Sequence, residues 1–207
     1  MTSLRQKQKL LRRQMIETAA SELFEKDGFI VTTIEDIAQH AVVSPATVYN
    51  YYGNKSELLL ALVAKGELHT REQVLEFEER AKNEPPELLL AEIVCSNMAN
   101  TLKYMSRELW GHVVAYVATT PDPDVAKRYL ASITDDLAKA LAVVLGQYVS
   151  MGTLNEVDVE HFAYMMTRLE RNHFLVFIYL QEMSVDELYE NVRKDVALLV
   201  KTLSVGR

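Results

Sequence analysis

Two capping signals eleven residues apart constrain this chain more than any other feature of it. Thr33-Ile34-Glu35-Asp36 has the makings of a capping box, a hydroxyl that accepts a backbone amide of the first turn and a carboxylate that reaches back. Ser44-Pro45 joins a good N-cap to a proline at the first helical position, where no amide donor is needed. A helix that starts at Ile34 must therefore end before Ser44, and its apolar face, Ile34, Ile37, Ala38 and Ala41, lasts about two turns. The next helix starts at Pro45 and ends at Gly53. Upstream, Ile16, Ala19, Ala20, Leu23 and Phe24 share one face of a longer helix, with Gly28 as its left-handed cap. Downstream, Asn54-Lys55-Ser56-Glu57 caps a fourth. Two short helices joined by a tight turn and braced by longer ones make a helix-turn-helix.

The remaining residues extend this all-α pattern. Seven Gly and five Pro in 207 residues are too few for a loop-rich all-β chain, and Leu, Ala, Glu, Met and Lys favour helix. A helical pattern runs from Lys55 to about Asn83, where Pro85-Pro86 stops it; as one helix it would be about 43 Å long, a lever between domains. Further helices are predicted over Glu87 to Met105, Arg107 to Ala118, Asp124 to Ser150, Asp158 to Met183 and Val185 to Leu203. The expected architecture is a three-helix reader over residues 1–54 and a larger antiparallel helical bundle over 55–207, about nine helices in all. The longest apolar runs, Leu58 to Ala64 and Phe174 to Leu180, fall far short of the roughly 20 residues that cross a bilayer. The basic N-terminus precedes no apolar stretch of the kind a signal peptide needs, so the cytoplasm is the expected location. The single cysteine, Cys95, leaves no internal disulfide to form.

Charge is uneven along the chain. Residues 1–55 hold seven basic and six acidic side chains, and the rest hold fifteen and twenty-three. A polyanion is repelled by the acidic body and attracted to the first segment, where Arg5, Lys7, Lys9, Arg12 and Arg13 all precede the first acid, Glu17. On a helix that begins at Pro45, Val48 and Tyr52 point inward, toward Ile37, Phe24 and Leu58. Ala46, Thr47 and Asn50 then face outward, flanked by Tyr49 and Tyr51. Such a surface has no acid and suits the major groove. Small residues let the backbone approach and meet base edges or a thymine methyl, and phenols bond phosphates.

The run Thr33 to Ala38, then Val43-Ser44-Pro45-Ala46-Thr47-Val48-Tyr49-Asn50-Tyr51-Tyr52, then Asn54 to Leu59 resembles the N-terminal DNA-binding domain of the TetR family of bacterial transcription regulators, over roughly residues 10–62. The resemblance implies a homodimer, usually a repressor, whose C-terminal helical domain binds a small molecule and so releases operator DNA. By position it puts Pro45, Ala46, Thr47, Tyr49 and Tyr51 on bases or the adjoining backbone, with Ser44 and Asn50 in the same DNA-facing set. Thr33 and Lys55 would hold phosphates, and the arm from Arg5 to Arg13 would reach a minor groove. One residue departs from the pattern: Val42 stands where the family usually has glycine in the inter-helix turn.

Partner surfaces in the C-terminal part are less sharply marked. Met98, Tyr104, Met105, Trp110, Tyr116, Tyr148 and Met165 suit the lining of a cavity for a small apolar or aromatic effector, although residues of this kind more often form plain core. Arg168 and Asn172, four apart, serve equally as polar anchors in that cavity or as hydrogen-bonding groups in a dimer interface. Phe174, Phe177 and Ile178 belong to a segment that is apolar all round, and Leu188, Val192, Val196 and Leu199 form a stripe on the next helix. Together they suit a four-helix dimer interface.

An enzyme is the rival class. Glu170 with His173, and Asp158 with His161, have the spacing of carboxylate-bridged metal ligands, but the further carboxylates of a di-iron bundle are not evident. No phosphate-binding glycine loop or nucleophile elbow occurs, so neither catalysis nor a cofactor or metal is expected. A DNA-binding adaptor that answers to a protein partner is a further alternative.

Overall fold

The computed structural model describes residues 4–63 and 71–204, and the regular elements of the described residues are ten α-helices. They are α1 (Leu4–Asp27), α2 (Ile34–His40), α3 (Pro45–Tyr52), α4 (Lys55–Val63), α5 (Arg71–Arg80), α6 (Pro86–Tyr104), α7 (Arg107–Thr119), α8 (Pro123–Ser150), α9 (Val159–Tyr179) and α10 (Val185–Lys201). The expected all-α architecture holds. The single lever helix from 55 to 83 falls partly on residues outside those described; α4 and α5 are its described parts, and the helix is over at Arg80. The predicted helix from Asp158 closes at Tyr179, four residues before Met183, because Leu180 leaves helical backbone.

The chain forms two compact units, residues 1–66 with 105–129, and residues 67–104 with 130–207. The expected boundary after residue 54 left α4 with the bundle. In the first unit α4 instead packs on α1 and α7, and buries Leu58, Leu59, Leu62 and Val63. Ile16, Ala20, Phe24, Ile37, Ala38 and Val48 complete that core. In the second unit α10 lies against α6 and α9, and Leu188, Val192, Val196 and Val200 are wholly buried.

The turn between α2 and α3 is a Schellman motif. Val43 N–H donates to the Ala38 carbonyl at 2.9 Å and Val42 N–H to the Gln39 carbonyl at 3.2 Å, which satisfies the last carbonyls of α2. The motif needs a left-handed residue at the position of Val42, and Val42 takes it, with φ 55°. A β-branched side chain there costs about 1–2 kcal/mol. The turn keeps the geometry that glycine would give it, and the chain bears the strain. Val42 is 83% exposed, so its side chain contributes almost no packing. Val42→Gly is therefore expected to raise the stability of the first unit by about 0.5–1 kcal/mol, the strain relieved less glycine's extra unfolded-state entropy. Urea unfolding of the two proteins measures the difference.

Candidate nucleic-acid interface

The capping signals form as their residues require. Thr33 Oγ1 accepts Asp36 N–H at 3.1 Å, and Asp36 Oδ2 accepts Thr33 N–H at 2.9 Å, closing the box. Ser44 Oγ accepts Thr47 N–H at 3.2 Å, and Pro45 occupies the first turn of α3. Val48, without exposed surface, is the inward wedge of α3. Opposite it, Ser44, Ala46, Tyr49 and Asn50 are exposed, and Pro45, Thr47 and Tyr51 are half-buried at the edges. Thr47 Oγ1 and Ser44 Oγ share a hydrogen bond of 2.9 Å, which fixes the rotamers of both hydroxyls. The face holds small, hydroxyl, amide and phenol groups, and none of them is an acid.

Three more residues do something other than sequence position implied. Thr33 spends its backbone N–H and its hydroxyl on the Asp36 carboxylate, so it offers a phosphate no free donor. Those bonds hold the Asp36 carboxyl below its ordinary range. Lys55 points inward. Its Nζ donates to the carbonyls of Phe29, Ile30 and Thr32 at 2.6, 3.2 and 2.7 Å, and lies 4.5 Å from the centre of the Phe29 ring. Its three protons are used, and it anchors the α1–α2 loop instead of a phosphate. Partial desolvation lowers the pKa of its ammonium. Tyr52 is half-buried as expected, but its hydroxyl donates to Glu17 Oε1 at 2.8 Å, where Arg13 Nε also donates at 2.8 Å.

Sequence reasoning missed that Glu17–Arg13–Tyr52 cluster, although Arg13 and Glu17 stand four apart on α1. The signal for Lys55 was its place in the first turn of α4, where a cation opposes the helix dipole and needs another partner. Nearby, Glu57 is shared by two elements beyond α4. The Tyr116 hydroxyl donates to it at 2.7 Å and Arg128 Nη2 at 2.9 Å, so Tyr116 serves the first unit's framework rather than a cavity.

The residues expected to line an effector cavity do not form one set. Met105 and Trp110 are buried in the first unit, whereas Met98 and Tyr148 are fully buried in the second, with the Tyr148 hydroxyl donating to the Glu84 carbonyl at 2.9 Å. Tyr104 is half-buried at the end of α6. Met165, Arg168 and Asn172 lie on the exposed face of α9, where the Arg168 guanidinium stacks 4.5 Å from the Tyr164 ring. The second unit also holds a part-buried polar contact between α6 and α9. Asn97 Nδ2 donates to Glu170 Oε1 at 3.3 Å, and burial pushes the Glu170 carboxyl up to about 7.

The expected dimer stripe is also used within the chain. Phe174, Phe177, Ile178, Leu188, Val192 and Val196 are all buried, since α9 and α10 close on each other and on α6; Leu199 is half-buried. The carboxylate and histidine pairs have local partners of their own. His173 bonds Asp195 at 2.9 Å, and Asp158 caps α9 by accepting His161 N–H at 2.9 Å. Among the described residues no group of three His, Cys, Asp or Glu is placed to hold a metal, and no helix is long and apolar enough to cross a membrane.

A helical unit that presents an acid-free short helix from behind a strained tight turn is a helix-turn-helix DNA-binding domain. Residues 16–62 match the family described as bacterial regulatory proteins, tetR family. That stretch, from Ile16 on α1 to Leu62 on α4, is similar to the family over about a quarter of the chain. It is 38% identical over 78 residues to the HTH-type transcriptional regulator HbdR of Aromatoleum sp. (strain CIB), a stretch that covers 38% of this chain and about a third (34%) of HbdR. It is 28% identical over 148 residues to the HTH-type transcriptional regulator BetI of Brucella abortus (strain 2308), covering 72% of each. Among solved structures, the Thermus thermophilus FadR repressor in complex with lauroyl-CoA superposes with a TM-score of 0.68 at 23% identity, over 94% of this chain and 96% of that one. FadR of Bacillus subtilis, in complex with stearoyl-CoA, does so with a TM-score of 0.58 at 19% identity, over 92% and 98%. These structural likenesses carry the fold.

Proposed function

We propose that the protein is a dimeric DNA-binding transcription regulator of the cytoplasm, a repressor that leaves its operator when a small molecule binds the C-terminal helical unit. The outward, acid-free face of α3 carries this reading, since it has the chemistry of a major-groove reader and no other evident task. Residues 1–54 supply that reader, with Ala46, Thr47, Tyr49 and Asn50 toward bases and Ser44, Pro45 and Tyr51 toward the adjoining backbone. A palindromic operator needs two copies about 34–36 Å apart. The exposed side of α9, with Tyr164, Met165, Arg168, Asn172 and Tyr179, is the surface we assign to the partner protomer, in place of the stripe that the chain buries.

For the effector, the apolar interior of the second unit and its part-buried Asn97–Glu170 contact fit a largely apolar molecule with one polar end. Two regulators of similar fold were solved with acyl-CoA molecules, so fatty acyl thioesters are the first class to test. Release requires that the ligand bind better to the form whose recognition helices are misplaced for DNA.

The test is fluorescence anisotropy on duplexes from the DNA flanking the protein's own coding region, over a series of salt concentrations. We expect two chains per bound duplex, affinity that falls steeply with salt, and weakening by acyl-CoA. Thr47→Ala should change which base is preferred at one position of each half-site, a discrimination of about 1–3 kcal/mol, with the salt slope unchanged. Binding that ignores both salt and sequence would remove the reading.

A further inference from the structure

The N-terminal arm, expected to reach a minor groove, is built for something else. It is helical from Leu4 and continues without a break into the core part of α1. A helix is about 10–12 Å across with its side chains, and the minor groove is about 6 Å wide. The arm cannot lie in that groove as it is folded.

Its charges are arranged in register with the domain. Arg5, Lys9 and Arg12 fall on the helical line that continues through Ile16 and Ala20, both wholly buried. The face that α1 turns into the core therefore overhangs the domain as a row of cations. Residues 4–15 are exposed, and the side chains of Arg5, Lys9 and Arg12 have no ion pair or hydrogen bond among the described residues. The row also borders the recognition helix. The Tyr51 hydroxyl of α3 donates to the Lys9 carbonyl at 3.4 Å, and one turn further on Arg13 joins Tyr52 through Glu17. Arg5 to Arg12 spans about 10 Å of helix, the length of about three phosphates of one strand at 3.4 Å of axis each.

We propose that the first turns of α1 form a rigid rail for the sugar-phosphate backbone beside the half-site, with Arg5, Lys9 and Arg12 each neutralising one phosphate. This rests on the regulator reading given above. The rail adds affinity and fixes how α3 enters its groove, and it reads no bases. Lys7, two residues from both Arg5 and Lys9, lies on the other side of the helix and takes no part.

The test compares the full-length protein with the Arg5→Ala/Lys9→Ala/Arg12→Ala triple variant and with Lys7→Ala, by anisotropy from 50 to about 300 mM salt on a duplex that the wild type binds. At roughly 0.9 per phosphate, the triple variant should lose about 2.5 from the slope of log affinity against log salt per bound protomer, while its preference for that duplex over a scrambled one stays the same. Lys7→Ala should leave the slope within a few tenths of wild type. Leu10→Pro keeps every cation but interrupts the helix at an exposed position, and should also lower the slope. A triple variant with the wild-type slope would overturn the rail alone. Loss of a preference for A·T over G·C flanks in the triple variant would overturn it in favour of minor-groove entry. A wild-type protein that bound no duplex would overturn the regulator reading and the rail with it.

Discussion

Replacing Lys55 by methionine is expected to cost the first unit about 3 kcal/mol of unfolding free energy, a large share of a single domain's stability. The ammonium group ties three consecutive-turn carbonyls of the α1–α2 loop, those of Phe29, Ile30 and Thr32, to the start of α4. Each hydrogen bond to a charged donor is worth about 1.5–3 kcal/mol when broken, and the three share one donor, so their sum is an upper bound. Methionine keeps the aliphatic stem over Phe29 and leaves the carbonyls without a donor. Arginine should restore less than half of the loss, because a planar fork does not converge on three acceptors as a tetrahedral ammonium does. Trp110, the single tryptophan, is buried in this same unit, so its fluorescence during urea unfolding reports the effect directly. The competing expectation, a phosphate contact, gives a different pattern. It predicts unchanged stability and a salt slope lower by about 0.9, whereas the loop anchor predicts lost stability and an unchanged slope for the folded fraction.

What was legible in the sequence was whatever is encoded within one or two helical turns. The capping box at Thr33, the Ser44-Pro45 start and the Gly53 stop are local chemistry, and each formed where its residues stand. The same holds for the inward wedge of Val48, since a helix of eight residues has only one way to bury it. Lys55 could not be read this way. Its acceptors are 23–26 residues away in sequence, and an exposed-looking lysine at a helix start gives no sign of which loop will come within reach.

Apolar stripes raised the same difficulty at larger scale. Leu188, Val192 and Val196 have the spacing of an interface, and spacing shows that a face is buried without showing by what. Here α6 covers it within the chain. The residues left outside, Tyr164, Met165 and Tyr179 on α9, are too few and too mixed with polar neighbours to stand out as a stripe. Val42 is a different case. Its place in the turn left two outcomes open, another turn geometry or a strained residue, and the chain keeps the turn and strains the residue.

The second large effect lies behind the recognition helix, at Glu17. Its side chain is 2% exposed, yet it carries a carboxylate that accepts from Arg13 and from Tyr52. A buried charge left without its ion partner typically costs about 3–5 kcal/mol. The Arg13 side chain is about half exposed (54%), so water enters the gap when it is removed and the expected cost of Arg13→Ala falls to about 2–3 kcal/mol. Glu17→Gln combined with Arg13→Ala should recover part of that cost, because it removes the buried charge. Tyr52 adds a dependence on pH. Desolvation, then the bond to the Glu17 carboxylate and its charge, push the phenol well above its ordinary value near 10. The folded unit thus holds this proton after the unfolded chain has released it. The contribution is complete below about pH 10 and is lost above it, at about 1.4 kcal/mol per pH unit. Tyr52→Phe should remove that slope, lower stability at neutral pH by about 1–2 kcal/mol, and leave the alkaline titration of the other tyrosines in place. Since Tyr52 ties α3 to the buried part of α1, the same variant should loosen the recognition helix and weaken operator binding without changing its salt slope. A Tyr52→Phe protein that lost stability with pH as steeply as wild type would show that another group carries the alkaline transition.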